Sequence, residues 1–409
     1  MMLTMGGAIK EAKSQKTKAL IAPNSDRLAF LDGLRALAAL YVVIGHLVSI
    51  VDPKNLTGGQ SCLPYTIRMM VEPFRQGHLA VAAFIVISGF SLSVSAFRPG
   101  LGGTANRVSI AEFFKRRAKR ILPPYYACLL FSTLVAVYVT SQQNKMPFLL
   151  YVPVTPQNFL AHIFLIQNMS LDWMYKINGV LWSIALEAQL YLLFPALIWC
   201  TRNLGKLVTI ALGLSVTYAV VTRIPDANRF YVWFIPLFAA GIAASQAAYR
   251  PNRHIGTLPG LGLLIAVLGL SLGVLALSFT EQQPLQDLPF GFGIAGLLYA
   301  LTVGGSLEAN KVLSNRALVA IGAFSYSLYL MHHPIEQVIY VYRPVFLTDP
   351  VVTLGYLFVV GLPCILLLTW VFYLIFERPF IRTAKSARIG KSRAVSSLPL
   401  RAAAKKPSS

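Results

Sequence analysis

VVTLGYLFVVGLPCILLLTWVFYLIF, residues Val351–Phe376, carries no charged side chain anywhere along its length. A helix needs roughly 20 apolar residues to cross the hydrocarbon core of a bilayer, so this stretch predicts a transmembrane helix. Leu207–Val221 and Leu258–Phe279 read the same way. The runs are continuous rather than alternating, which excludes the pattern of a membrane β-barrel. Working outward, helices are expected near residues 30–50, 78–97, 119–140, 180–200, 206–222, 229–248, 258–279, 287–304, 317–341 and 351–376. A spanning backbone must satisfy its own hydrogen bonds. The expected fold is therefore an all-α integral membrane bundle of about ten transmembrane helices.

Composition points the same way. Of 409 residues, 56% are hydrophobic and only 12% are charged, against about 25% in soluble chains. On a soluble protein the net charge of +21 would suggest nucleic acid. Here it follows topology, and no nucleic-acid partner is expected. With the N-terminus inside, the inner segments hold most of the 36 Lys and Arg residues, among them Lys115, Arg116, Arg117, Lys119 and Arg120. The positive-inside rule then places both termini in the cytoplasm. Residues 1–26 read as a basic cytoplasmic segment with no apolar core before a cleavage site, so no signal peptide is expected. Residues 27–382 read as one membrane domain, and 383–409 as a basic, disordered cytoplasmic tail. The apolar stretch Phe159–Met169 would invert the downstream topology if it crossed, and is expected to be re-entrant or interfacial. Cys62, Cys128, Cys200 and Cys364 are scattered, with neither metal spacing nor a disulfide framework, so no metal is expected. No stretch has the composition of a soluble catalytic domain. Chemistry must come from the helices and their loops.

Ionisable residues inside spans are costly and are the default functional candidates. The first expected helix carries Asp32, Arg35 and His46. Arg35 and His46 lie roughly 16 Å apart along a helix, three turns on, and share a face. Asp32 is one turn before Arg35 and placed to pair with it. The second helix carries Ser88-Gly89, and the third opens with Arg117 and Arg120 before Pro123 and Tyr125. Glu187 and Tyr191 are one turn apart on the fourth. The ninth holds Tyr329, His332 and His333. By depth, His46, Glu187, His332 and His333 fall in the outer half and the arginines on the inner side. His78, His162 and His254 stand outside this pattern and receive no role.

In this order, these residues resemble the acyltransferase 3 family of bacterial membrane enzymes, from about Arg27 to Pro379. The resemblance rests on Leu31-Asp32-Gly33-Leu34-Arg35-Ala36 with His46, Ser88-Gly89-Phe90, and Arg117-x-x-Arg120 before Pro123 and Tyr125. It rests also on Trp182-Ser183, Glu187 and Tyr191, on Ser325-Tyr326-Ser327-Leu328-Tyr329 with His332 and Pro334, and on Glu377-Arg378-Pro379. Where the family often has two adjacent acidic residues, this chain has Glu187-Ala188. The resemblance implies a multi-pass protein of the bacterial cytoplasmic membrane. It implies O-acyl transfer, often of acetyl, from coenzyme A to a hydroxyl of a cell-surface sugar or similar acceptor. Acyl-CoA enters as a donor substrate, not a permanently bound cofactor.

Such a transfer needs a base near working pH, donors for the developing oxyanion, and a grip on the acyl carrier. His46 is expected as general base, with a transient acyl-histidine as the alternative chemistry. Glu187 is expected to orient or charge-stabilise a histidine, or else to make an ion pair that packs helices. Arg35, Arg117, Arg120 and Tyr125 are assigned to the donor. For Arg117 and Arg120 the competing explanation is topology alone. Asp32, Ser88, Gly89, Tyr191, Tyr329, His332 and His333 are expected around the substrates, although small residues in membrane helices commonly serve packing. The runner-up function is a translocator of lipid-linked sugars or a non-catalytic partner in polysaccharide assembly. No inverted repeat of the kind found in transporters is visible.

Overall fold

Apolar segments bounded by caps and turn residues become long helices throughout the structure, a computed structural model that describes residues 28–98, 109–250, 257–304 and 307–381. The first helix, α1 (Ala29–Val51), is apolar except for Asp32, Arg35 and His46 on faces turned into the protein. Helix α2 is Gly77–Phe97. Helix α3 (Ile110–Tyr138) starts where Ser109 accepts from the Glu112 amide at 3.1 Å, a cap that satisfies one orphan donor. A short α4 (Pro156–Ile163) follows, held at its start by a Thr155–Asn158 capping box. Then come α5 (Leu181–Asn203), α6 (Lys206–Arg223), α7 (Phe234–Tyr249), α8 (Pro259–Ala276) and α9 (Gln283–Val303). The chain finishes with α10 (Arg316–Ala323), α11 (Ser325–Val341) and the long α12 (Pro350–Ile381). Two π-helical turns, Leu357–Gly361 and Tyr373–Glu377, interrupt α12. No strand occurs among the described residues.

Helices α1, α2, α7 and α11 form the centre. Helix α7 is buried almost all round and packs on α2, α6 and α9, while α11 packs on α1, α3 and α12. Glycine permits the closest of these contacts: a Cβ on Gly241 of α7 would collide with the Val86 carbonyl of α2. Peripheral helices show the opposite pattern. On α8 only Gly262, Ala266, Gly269 and Gly273 are buried. This small-residue stripe meets Gly293 and Gly296 of α9, as membrane helices do when close packing drives their association. The rest of α8, including Leu264, Val267 and Leu272, is exposed and apolar, suited to lipid.

The all-helical expectation holds among the described residues, and helices occur near each expected position, with corrections. Eight helices are long and apolar enough to cross a membrane. The two that fall short are α9 and α11. Helix α9 opens with Pro284, Gln286, Asp287 and Pro289, and α11 has 17 residues that include two histidines and a glutamate. The third helix starts at Ile110 rather than 119, so the basic run lies within it. The expected helix 317–341 breaks at Phe324 into α10 and α11. The Phe159–Met169 stretch forms the end of α4 and a single 3-10 turn, too short to cross. The expected segments 1–26 and 383–409, and His254, lie outside the described residues.

Candidate active site

Pro334 lies inside α11 and has no amide proton to offer the Leu330 carbonyl one turn back. That freed carbonyl is taken by Asn178 Nδ2 at 3.2 Å and by Cys128 Sγ at 3.2 Å. The helix is thus tied to α3 and to the chain entering α5 at the level of His332 and His333. At its start, Glu377 of α12 accepts from both the amide and the hydroxyl of Ser327, at 3.2 and 2.6 Å. These contacts fix the height and rotation of α11.

Two histidines on α11 meet His46 of α1. His332 Nδ1 donates to its own helix, to the Leu328 carbonyl, at 3.0 Å. Its Nε2 therefore accepts, and the partner at 2.9 Å is His46 Nδ1. The network assigns the proton of neutral His46 to Nδ1 and leaves Nε2 with a free lone pair. The His46 and His332 rings stack at 5.1 Å, and the His333 ring meets His46 edge-on at 5.1 Å. His333 Nδ1 accepts from Gln337 Nε2 at 3.0 Å, and the Gln337 carbonyl accepts from Thr140 at 2.7 Å. Glu336, buried, faces His333 Nε2 at 3.9 Å, and its second oxygen has no hydrogen-bond partner among the described residues. A narrow cleft beside Ser49, Pro147 and Tyr151 reaches this cluster.

A second polar cluster lies toward the start of α1. Ser88 donates to Glu187 Oε1 at 2.7 Å and Tyr191 donates to the same oxygen at 2.5 Å. Arg35 donates to Ser91 at 2.7 Å and faces Asp32 at 3.4 Å. Arg117 rests over the Phe113 ring at 5.9 Å. The charges of Arg117 and Arg35 lie within electrostatic reach of Glu187, Tyr191 and Arg120, and Arg120 within reach of Glu377. Between the clusters, Tyr329 shares a 2.7 Å hydrogen bond with Ser183, and its ring sits 5.9 Å from that of His332. Polar side chains thus run through the bundle from His46 to the arginines. Helix α1 begins and α12 ends at the arginine end.

The structure brings together His46, His332 and His333 at one end, and Asp32, Arg35, Arg117, Arg120, Ser88, Glu187 and Tyr191 at the other, with Tyr329 between them. At three positions the observed contacts differ from the expected ones. Glu187 Oε1 accepts from Ser88 and Tyr191, and no hydrogen bond joins Glu187 to a histidine among the described residues. Tyr125 is separate from the arginines in its bonding: its buried hydroxyl donates to the His162 carbonyl at 2.8 Å and pins α3 to α4. Gly89 is a helix contact, since a Cβ there would meet the Phe238 carbonyl of α7. His78, given no role from sequence, bonds Asp287 at 2.7 Å, and Asp287 also accepts from Trp233 at 2.8 Å. That network ties α2, α7 and α9 together. Glu336 was missed, although its signal was present: a carboxylate one turn after His333 inside an expected span.

Comparison with known proteins identifies the family. An acyltransferase domain family, acyltransferase 3, matches residues 28–374. O-acetyltransferase OatA of Staphylococcus aureus strain NCTC 8325 is 27% identical over 339 residues, covering 75% of this chain and 50% of that protein. The same protein of strain COL matches equally. The chain thus spans half the length of these curated relatives. No solved structure matches.

Proposed function

The chain belongs to the acyltransferase 3 family, and from that premise we propose that it moves an acyl group, acetyl in the simplest case, from acyl-coenzyme A to a hydroxyl of a cell-envelope carbohydrate or similar acceptor. The observation that carries this reading is the free Nε2 of His46, set by the His332 hydrogen bond, at one end of a polar line whose other end is Arg35, Arg117 and Arg120. Guanidinium groups suit the phosphates of the donor. The long pantetheine arm then carries the thioester toward His46.

The chemistry balances with this chain's own groups. As the acceptor hydroxyl attacks the thioester carbon, its proton passes to His46 Nε2. The carbon–sulfur bond breaks, and the leaving thiolate takes the proton, giving an ester and free coenzyme A. The imidazolium formed on the way would be costly in a dry site. Glu336, rather than Glu187, is the carboxylate beside the histidines and offsets that charge. His332 holds the ring and its tautomer.

In this reading the bundle spans the bacterial cytoplasmic membrane about ten times. The arginine end, with both termini, faces the cytoplasm, where acyl-CoA is found, and the histidine cleft faces outward. The test is release of free coenzyme A from acetyl-CoA by purified protein supplied with envelope glycans. Release that drops by about 10²- to 10⁴-fold in a folded His46→Ala variant is the expected result for a lost general base. Equal release from both proteins would remove His46 from the mechanism. Absence of turnover together with absence of acetyl-CoA binding would favour a translocator.

A further inference from the structure

Glu336 is a buried carboxyl whose hydrogen-bonding capacity is not met by its neighbours. It is 2% exposed, one oxygen has no hydrogen-bond partner among the described residues, and the other oxygen faces the Nε2 of His333 at 3.9 Å. Buried carboxylates are normally paired with a cation or bound to a metal. Beside Glu336, the ligating nitrogens of His46 and His333 and the carboxylate oxygen all lie within 4.8 Å of one another.

We propose that His46, His333 and Glu336 bind a divalent transition-metal ion of the zinc type, admitted through the cleft beside Tyr151, and that the ion blocks acyl transfer by occupying the lone pair of His46. The inhibitory half rests on His46 being the base; the site itself does not.

The donor set fits such an ion. Two imidazoles and a carboxylate with one position open is a common zinc environment, with ligand bonds of about 2.0–2.2 Å. Three protein donors with two nitrogens suit calcium or magnesium poorly, since these prefer six or more oxygens. His333 and Glu336 are three residues apart on α11 and share a face. Closing the three donors onto one ion requires side-chain rotations of about an ångström, because 4.8 Å exceeds the spacing in a tetrahedral site.

The surrounding groups orient the ligands. His46 Nδ1 is held by His332, which leaves Nε2 for the ion. His333 Nδ1 is held by Gln337, which is held in turn by Thr140. When an ion takes His333 Nε2, the ring proton moves to Nδ1. The Gln337 amide then turns over to accept it, and the Thr140 hydroxyl serves either orientation because it both donates and accepts. Such outer partners raise metal affinity by fixing ring orientation.

The test uses the full-length protein in detergent, stripped with a chelator, desalted and equilibrated with zinc. Bound metal is counted for the wild type, Glu336→Gln and His333→Ala, with gel filtration and thermal melting as controls of folding. Cobalt in place of zinc adds a visible absorption band diagnostic of a tetrahedral site. The proposal expects one ion per chain in the wild type and affinity in Glu336→Gln weaker by more than about tenfold, at least what the loss of an outer partner costs. No bound zinc, or equal binding in wild type and both folded variants, overturns the site. Coenzyme A release is measured in parallel. Inhibition by zinc that a chelator reverses supports the second half. Zinc bound at the site with undiminished release overturns the inhibition and, with it, the assignment of His46 as base, while the site stands.

Discussion

The proton on His46 is placed by its neighbours rather than by its own chemistry. Because His332 spends Nδ1 on the Leu328 carbonyl, only its Nε2 remains to meet His46. Replacing His332 by Ala frees the His46 ring to turn and to change tautomer. Turnover should fall by more than about tenfold while the KM for acetyl-CoA stays close to wild type, the pattern of an interaction felt in the transition state. Steady-state kinetics on the variant check this, and a rise in KM alone would contradict it. His46, His332 and His333 were legible in sequence because ionisable groups in apolar helices stand out. Their mutual arrangement was not, since it depends on how α1 and α11 are rotated against each other. The partners of Glu187 were hidden for the same reason. Its depth matched the histidines, but its Oε1 is taken by Ser88 of α2 and by Tyr191 one turn on along its own helix.

Helix α11 is the element on which the site depends, and it is held by exceptions to regular helix structure. Pro334 leaves a carbonyl free, and Asn178 uses it to join α11 to the chain entering α5. Removing that donor with Asn178→Leu leaves a buried acceptor short of a partner. The expected cost is about 1–3 kcal/mol, read as a lower melting temperature in detergent. An unchanged melting temperature would show that Cys128 alone suffices. At the other contact, α7 lies so close to α2 that Gly241→Leu should prevent docking. Overpacking of this kind costs about 1–3 kcal/mol or more, seen as loss of a monodisperse gel-filtration peak. The break at Phe324 between α10 and α11 had no clear mark in the sequence, because the apolar pattern runs through it. The early start of α3 was hidden by its charge, since hydropathy cannot see a helix that leaves the membrane and continues.

Within the bundle, the ionisable side chains of the candidate site lie along one line through the centre, with a separate His78–Asp287 network beside it, and the outer helices α6 and α8 present apolar faces. This division explains how eight strongly apolar helices can shelter two polar ones. Helices α9 and α11 fall short of the apolar standard because they carry the Asp287 network and the histidine cluster. A protein with α1 beginning and α12 ending at the arginine end should have both termini on one side of the membrane. Reporters fused at each end should both be active only in the cytoplasm, and opposite readings at the two ends would contradict the arrangement. The all-helical, membrane-spanning character and the resemblance were legible from composition and motif order. The direction of the polar line was only partly so, because depth along a helix says nothing about which face meets which neighbour.

The central claim separates a binding end from a reacting end, and one measurement addresses both. Acetyl-CoA affinity and coenzyme A release are determined together for wild type, His46→Ala and Arg117→Ala. The account predicts that His46→Ala binds acetyl-CoA as wild type does but barely turns it over. It predicts that Arg117→Ala binds about ten- to a hundredfold more weakly, the worth of a charge-assisted hydrogen bond of about 1.5–3 kcal/mol. Full turnover by His46→Ala, or wild-type affinity in Arg117→Ala, would contradict it.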